Sequence, residues 1–299
     1  MSGPNRAGGA EGVSRQGLSV VDSHVHLWDT GLLSYSWLSR NPTINRPHLL
    51  ADYARATSGF RIDGMVFVQA EVDVPQAMDE ARWVVGLARQ DPRLKGVVAW
   101  APLESGDACR PALEKLASSP LVKGIRRIIE FEPSLDFCLQ SGFVKGVRML
   151  PEFGLRFDIC IKPHQMANTM ALMRRCPEVP FILDHIAKPD IRGGMWEPWA
   201  SRMREMASFP RCRCKISGVI TEADPARWTV EGIRPYILHA IECFGPDRVL
   251  FGGDWPVVVP SARYDQWMDA LLRVASELTE EERRKLFRDN AIQAYGLDL

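Results

Sequence analysis

The chain has 299 residues, of which 46% are hydrophobic, and its 37 lysines and arginines balance 37 aspartates and glutamates. That length and apolar content suffice for a large hydrophobic core, which excludes a disordered protein. A formal charge of +0 gives no global field that would attract a polyanion. We therefore predict no nucleic-acid partner and favour a small neutral or weakly charged ligand.

The first segment and the cysteines indicate a compartment. Residues 1–17 are polar and glycine-rich without an apolar segment, which predicts a flexible leader rather than a signal peptide. No run approaches the roughly 18 consecutive apolar residues of a transmembrane helix. The seven cysteines are scattered and never form a CxxC pair, which is typical of reduced thiols. We expect a cytoplasmic protein without membrane contact.

Eight short apolar runs rich in β-branched residues then alternate with helical patterns. Helical spacing is clearest from Pro75, Ala108, His164 and Arg263, and the apolar runs begin at Leu18, Gly64, Lys95, Val122, Gly154, Val179, Arg211 and Asp247. Alternation of strand and helix predicts a parallel sheet with right-handed crossovers, and eight repeats favour closure into a (β/α)₈ TIM barrel. We predict that residues 18–299 form this single domain.

Polar residues stand at or near the ends of most of these strands. Because the C-terminal ends of barrel strands meet on one face, these side chains are predicted to converge where barrel enzymes place their chemistry. The residues are His24, His26, Gln69, Arg126, His185, Ser217 and Asp254, with His164 just past the fifth strand.

The His24-Val25-His26 segment is the first candidate metal site. A two-residue spacing on an extended strand points both imidazoles the same way, so that they can bind one cation. Asp254 would supply a third ligand of a type that divalent metals accept. The alternatives are a pair of core histidines and an aspartate that caps a helix ahead of Pro256.

His185 and His164 are candidates for catalysis. A neutral imidazole at a barrel mouth can polarise a carbonyl or hold a second metal. The alternative for His185 is a core histidine held by Asp184 or by a backbone carbonyl, and His164 has the same two interpretations.

Arg126, Gln69 and Trp28 are candidates for substrate binding. A guanidinium inside a barrel strand suits carboxylate or hydroxyl-rich ligands, the alternative being an ion pair with Glu130 or Glu71. Gln69 would hydrogen bond to hydroxyls, and Trp28 would cover an apolar ring face, although tryptophans pack in loops more often.

Seven motifs in order carry a family resemblance: VDSHVHLWD, GMVFVQAE, KGIRRIIEFEP, FDICIKPHQM, LDHIAKPDI, CKISGVITEAD and LFGGDWPVV. Together they resemble the amidohydrolase-related sugar lactonases, among them L-fuconolactonase, L-rhamnonolactonase and pyrone dicarboxylate lactonase. The resemblance implies a (β/α)₈ hydrolase of carbohydrate metabolism that opens cyclic esters of sugar acids.

By motif position, the resemblance also implies site residues. His24 and His26 match the family's first-strand pair, His185 its sixth-strand histidine and Asp254 its eighth-strand aspartate. His164 falls in the PHQ motif, and Arg126 matches the arginine of the GVR segment.

The fourth strand departs from the wider superfamily, because it has no lysine at its end to become a bridging carbamate. A binuclear centre is therefore disfavoured. Either one divalent cation, for which we favour zinc, binds His24, His26 and Asp254, or the site works without metal.

A lactone hydrolase needs a base for the attacking water, a group that stabilises the oxyanion and a proton for the leaving oxygen. We assign Asp254 as base and then acid, and His185 to the carbonyl. The zero net charge favours a neutral aldonolactone over a dicarboxylate. The alternatives are a metal-dependent decarboxylase of aromatic acids and a catalytically silent sugar-binding barrel, and a homo-oligomer remains compatible with the sequence.

Overall fold

The computed structural model describes residues 17–299, so the predicted leader lies outside the described residues except for Gly17. Eight parallel strands form one sheet in the order of the chain. They are β1 (Ser19–Val25), β2 (Arg61–Val68), β3 (Leu94–Ala99), β4 (Val122–Arg126), β5 (Arg156–Ile159), β6 (Phe181–Leu183), β7 (Cys212–Ile216) and β8 (Val249–Phe251).

The first and last strands meet just past their ends. The backbone N–H of Asp254 donates to the carbonyl of His24 at 2.8 Å, and that of His26 donates to the carbonyl of Trp255 at 2.7 Å. Val25 and Trp255 pair as a parallel bridge. The sheet is thus a nearly closed barrel, and the predicted (β/α)₈ fold is confirmed.

Helices connect consecutive strands and surround the barrel. Their bounds are α1 (Leu50–Ala56), α2 (Ala77–Leu87), α3 (Arg110–Ala117), α4 (Ser141–Met149), α5 (Met166–Arg175), α6 (Trp199–Ala207), α7 (Val230–Phe244), α8 (Tyr264–Val274), α9 (Glu280–Arg284) and α10 (Asn290–Tyr295). The helical pattern from His164 begins as a single 3₁₀ turn, Pro163–Gln165, before α5. Among residues 17–299, no helix is long and apolar enough to cross a membrane. All seven cysteines are free.

Alternation along the strands separates two environments. On β7, Cys212, Cys214 and Ile216 point outward and pack into the large apolar cluster under the helices, whereas Lys215 between them points into the barrel. This follows from the two-residue period of a strand.

The N-terminal end of the barrel is closed by apolar side chains and by α10. Tyr295 of α10 packs against an inner cluster of Val21, Val66, Val68, Val98, Ile182 and Leu250. Its hydroxyl donates to Asp158 Oδ2 at 2.6 Å. Apolar side chains and Tyr295 therefore fill the N-terminal part of the barrel interior. The polar side chains lie at the C-terminal end of the strands.

Candidate active site

A cavity of about 350 Å³ opens at the C-terminal face of the barrel. Four of the predicted site residues line it, and one side of the wall is largely apolar. The predicted residues are His26, Arg126, His185 and Asp254, and the apolar residues are Trp37, Ala70, Ile128, Phe131 and Val257. The convergence expected from the strand ends has therefore brought most of these side chains to one place.

The two histidines of β1 lie in contact below this cavity. The two-residue spacing places both rings on the same side of the chain, with their Nε2 atoms 3.2 Å apart. Nδ1 of His26 donates to the carbonyl of Val68 at 2.7 Å, which leaves a lone pair on its Nε2. Burial lowers the pKa of both imidazoles, so both are neutral near pH 7.

Asp254 faces these histidines from the opposite end of the sheet. Its backbone φ is +52°, an uncommon value for a residue with a Cβ, and such conformations cluster at functional sites. Gly252, two residues before Asp254, allows the approach, because a Cβ there would lie 2.8 Å from the Cβ atoms of His24 and Ser217. The glycines of the FGGDW segment thus let the chain pass close to β1.

The charge of Asp254 follows from its neighbours. Burial opposes ionisation of its carboxyl group, but attraction to the imidazoles of His185, His24 and His26 holds its pKa below the usual value of 3.8. Asp254 is therefore a carboxylate at neutral pH, and it is almost completely buried.

His185 lies on an unusual turn after β6. Residues 185–188 all have positive φ, between +47° and +60°, which is a left-handed turn built without glycine. The indole of Trp199 donates to the carbonyl of Ile186 at 2.7 Å, and Nδ1 of His185 lies 2.9 Å from the Ser217 hydroxyl. Burial lowers the pKa of His185 to about 4, so it presents a neutral ring to the cavity.

Three imidazole nitrogens surround one carboxylate oxygen. Oδ1 of Asp254 lies 3.4 Å from Nε2 of His26, 3.7 Å from Nε2 of His24 and 4.0 Å from Nε2 of His185. Within residues 17–299 this buried oxygen has no hydrogen-bond partner. Ligands about 2.0–2.1 Å from a tetrahedral zinc ion lie roughly 3.3 Å from one another, so the donor set fits a divalent cation.

One candidate ligand group contains two of the three predicted ligands, His24 and Asp254, together with His185 in place of His26. His24, His185 and Asp254 form one group of donors close enough to share an ion. Cys160, Asp184 and His185 form a second group, but Asp184 is already paired with cations, which makes it a poorer ligand.

A buried network of charges lies beneath the histidines. Lys215 Nζ donates to Asp158 Oδ2 at 2.6 Å, lies 3.0 Å from Asp184 Oδ1 and lies 3.1 Å from His24 Nδ1. Lys215, Asp158 and Asp184 are fully buried. The sequence analysis did not predict this role for any of the three. The feature that could have indicated it is a charged residue within or directly after an otherwise apolar strand.

Arg126 joins this network from β4. Its Nη1 donates to Asp184 Oδ2 at 3.2 Å and lies 3.3 Å from His24 Nε2, and its Nη2 donates to the carbonyl of Gln69 at 2.5 Å. Its ion pair is therefore with Asp184, not with Glu130 or Glu71. Its Nε is buried and has no partner among the described residues.

Three predicted residues lie away from the cavity surface. Gln69 is fully buried, and its side chain bonds to Glu71 rather than lining the cavity. Trp28 is also fully buried, with its indole N–H on the carbonyl of Arg46 at 2.8 Å, and Trp37 lines the cavity instead. His164 is exposed on its 3₁₀ turn, and the structure gives it no hydrogen bond to the histidine cluster.

Two carboxylates and a lysine on the cavity wall were not singled out from the sequence. They are Glu71, Glu130 and Lys188. Lys188 and Glu130 form an ion pair, and Lys162 lies 3.5 Å from the same carboxylate. Glu71 lies two residues after Gln69, just past the end of β2. A search for polar residues that extended three residues beyond each strand end would have included it.

Comparison with known proteins gives consistent matches over nearly the whole chain. The amidohydrolase family model matches residues 21–297. An L-fucono-1,5-lactonase of Burkholderia ambifaria is 28% identical over 284 residues, covering 93% of this chain and 96% of that protein. An L-rhamnono-gamma-lactonase of Scheffersomyces stipitis is 24% identical over 335 residues, covering 93% and 98%.

Among solved structures, an amidohydrolase of Burkholderia multivorans with bound zinc superposes with a TM-score of 0.85. It is 27% identical, and the match covers 94% of this chain and 100% of that one.

Proposed function

The chain belongs to the amidohydrolase family, as its motifs predicted, and from this premise we propose that it hydrolyses the cyclic ester of a sugar aldonolactone to the open acid. The observation that carries the proposal is the environment of Asp254. A buried carboxylate with an unpaired oxygen faces neutral imidazoles on the floor of an open cavity. The lactonase names of the relatives support the same reaction class.

In the proposed reaction, Asp254 accepts the proton of a water that attacks the lactone carbonyl. Its pKa lies below the usual value, so it is ionised and able to accept a proton at neutral pH. The same carboxyl group then returns the proton to the ring oxygen as the ester bond breaks. One residue serves both steps because the water and the leaving oxygen are bound to the same carbon.

The developing oxyanion requires donors. We propose that the Ser217 hydroxyl donates to Nδ1 of His185, which would place the proton of this imidazole on Nε2 for donation to the carbonyl oxygen. The guanidinium of Arg126, which also lines the cavity, is a second donor. We propose that these two groups stabilise the oxyanion.

A divalent cation, with zinc favoured, would be held by His24, His26 and Asp254, with His185 next to them. When bound, it would polarise the carbonyl and acidify the water. The zinc bound in the structure of the Burkholderia multivorans amidohydrolase supports the choice of a divalent cation. Nε2 of His24 also faces the Arg126 guanidinium at 3.3 Å, so positive charge is present at this position without an ion.

The test is proton release from a panel of neutral aldonolactones, measured with wild type, Asp254→Asn and the control Asp107→Asn. Asp107 is exposed and paired with Lys145, far from the cavity. We expect Asp254→Asn to lose on the order of 10²–10⁴ in kcat, the usual contribution of an acid–base group, with an unchanged circular dichroism spectrum. The control should retain wild-type rates.

Substantial turnover by a folded Asp254→Asn variant would refute the assigned role. Activity that falls with chelator and returns with zinc would support the cation site, and insensitivity to chelator would assign the chemistry to side chains alone. Release of carbon dioxide from an aromatic acid, without lactone turnover, would favour the decarboxylase instead.

A further inference from the structure

The carboxylate of Glu71 is fixed in the cavity wall by its own backbone and by one neighbour. Its φ is +54°, again a left-handed conformation at a residue with a Cβ. The amide of Gln69 donates from Nε2 to Glu71 Oε1 at 2.7 Å and accepts the backbone N–H of Glu71 at 2.7 Å. This reciprocal pair holds Oε1, one of the two oxygens of the Glu71 carboxylate.

Glu71 differs from Glu130, the other glutamate of the cavity wall, in having no ion-pair partner among residues 17–299. Within the part of the chain that the structure describes, residues 17–299, no lysine, arginine or histidine forms an ion pair with it, whereas Glu130 is paired with Lys188. Arg126 is committed to Asp184. Arg40 also lines the cavity, but it is exposed at the mouth, where water and salt screen its charge.

A carboxylate is acceptor-only and offers about four lone-pair directions to donors. Ring hydroxyls are donors, and their hydrogen bonds to an ionised acceptor are stronger than those between neutral groups. A substrate carboxylate placed beside Glu71 would meet a like charge that is not neutralised by a direct ion pair, which disfavours binding.

We propose that Glu71 is a specificity-determining residue, which accepts hydrogen bonds from ring hydroxyls and selects neutral polyhydroxylated lactones over lactones that carry a carboxylate. This inference rests on the proposed lactone hydrolysis and adds the chemistry of substrate selection. Gln69 acts as the positioning residue, since it contacts Glu71 and not the cavity. Substrate selection thus depends on Glu71 in the cavity wall, whereas the reaction takes place at the groups on the cavity floor.

The experiment measures kcat and KM for three lactones with wild type, Glu71→Gln, Glu71→Ala and the control Glu152→Gln. The lactones are a neutral aldonolactone, unsubstituted δ-valerolactone and an aldaric-acid lactone with one free carboxylate. Glu152 is exposed and paired with Arg110, and its substitution should change nothing. Glutamine keeps the size of the side chain and removes its charge, and alanine removes both charge and acceptor.

We expect Glu71→Gln to raise KM for the aldonolactone about tenfold with little change in kcat, because a charged acceptor is lost. Rates on δ-valerolactone should stay within about twofold, and kcat/KM for the aldaric lactone should rise, so that discrimination between the neutral and anionic sugars falls at least about tenfold. Glu71→Ala should raise KM for the aldonolactone further than Glu71→Gln does. An equal loss on all three substrates, or a wild type that prefers the aldaric lactone, would overturn the inference.

A failure of the proposed hydrolysis can be told apart from a failure of this inference. If wild type turns over none of the lactones, the proposed function fails, and binding of an aldonolactam, the ring amide with the same hydroxyls, is measured by calorimetry. Binding to wild type that weakens about tenfold in Glu71→Gln supports hydroxyl recognition. Equal binding, or no binding to wild type, overturns it.

Discussion

The outward and inward faces of the barrel strands differ in how they treat polar groups. On β7, Cys214 and Ile216 face outward into a continuous apolar cluster, while Lys215 faces inward to Asp158 and Asp184. Adjacent residues of one strand therefore serve packing and site chemistry separately. The site is therefore built on strands whose outward side chains pack into the main apolar core, which keeps the inward side chains in fixed positions.

Buried carboxylates show the same contrast. Asp184, on the inward side, lies beside Lys215 and Arg126, and although burial opposes ionisation, these cations and His24 hold its pKa well below the usual value. Asp22, on the outward side, is bound by the hydroxyls of Tyr53 and Tyr264, and burial raises its pKa to about 6. Asp184 is therefore balanced by cations, and Asp22 by neutral donors.

Replacing Lys215, on the inward face, should cause the largest loss of stability. Lys215→Met leaves Asp158 and Asp184 buried without this cation, and we expect a loss of about 3–5 kcal/mol in the free energy of unfolding, the usual cost of removing one partner of a buried ion pair. Urea unfolding at neutral pH measures it, with the exposed Lys145→Met as control. A loss no larger than that of the control would show that the network contributes little.

Glu80 of α2 tests the consequence of burying a carboxylate without a counter-ion. It is almost fully buried, accepts the backbone N–H of Ala70 at 3.2 Å, and burial raises its pKa to about 8. The unfolded chain releases this proton near pH 4.5 and the folded chain only near pH 8, so the side chain reduces stability increasingly between these values.

Glu80→Gln removes that titration. Relative to wild type, the variant should gain up to about 3 kcal/mol in the free energy of unfolding between pH 5 and pH 8. Denaturant unfolding at the two pH values measures the difference, and Glu114→Gln, on the exposed side of α3, is the control. A constant difference between variant and wild type would contradict the raised pKa.

Substitution of Ile216, the outward neighbour of Lys215, should cause the smallest loss of stability. Ile216→Val removes one buried methylene from the outward face, and we expect a cost of about 0.5–1.5 kcal/mol. Lactone turnover should be unchanged, because the side chain points away from the cavity. A large loss of activity without a loss of stability would mean that the two faces are coupled.

The barrel and much of the site were predictable because their signals are local. Apolar runs of strand length, separated by helical spacing, predicted eight βα units, and the polar residues at strand ends predicted that His26, Arg126, His185 and Asp254 would share a cavity. In a parallel barrel all strands end on the same face, so position along the chain determined which face these residues reached.

The partners of these residues depended on the tertiary structure. Arg126 pairs with Asp184, Trp37 rather than Trp28 reaches the cavity, and His164 stays exposed. Each outcome depends on how the strands are staggered around the barrel and how the loops fold over its mouth. These are contacts between residues far apart in the chain, and no local pattern encodes them. The sequence thus determined the scaffold and the face of the site, and barrel closure decided which charges meet within it.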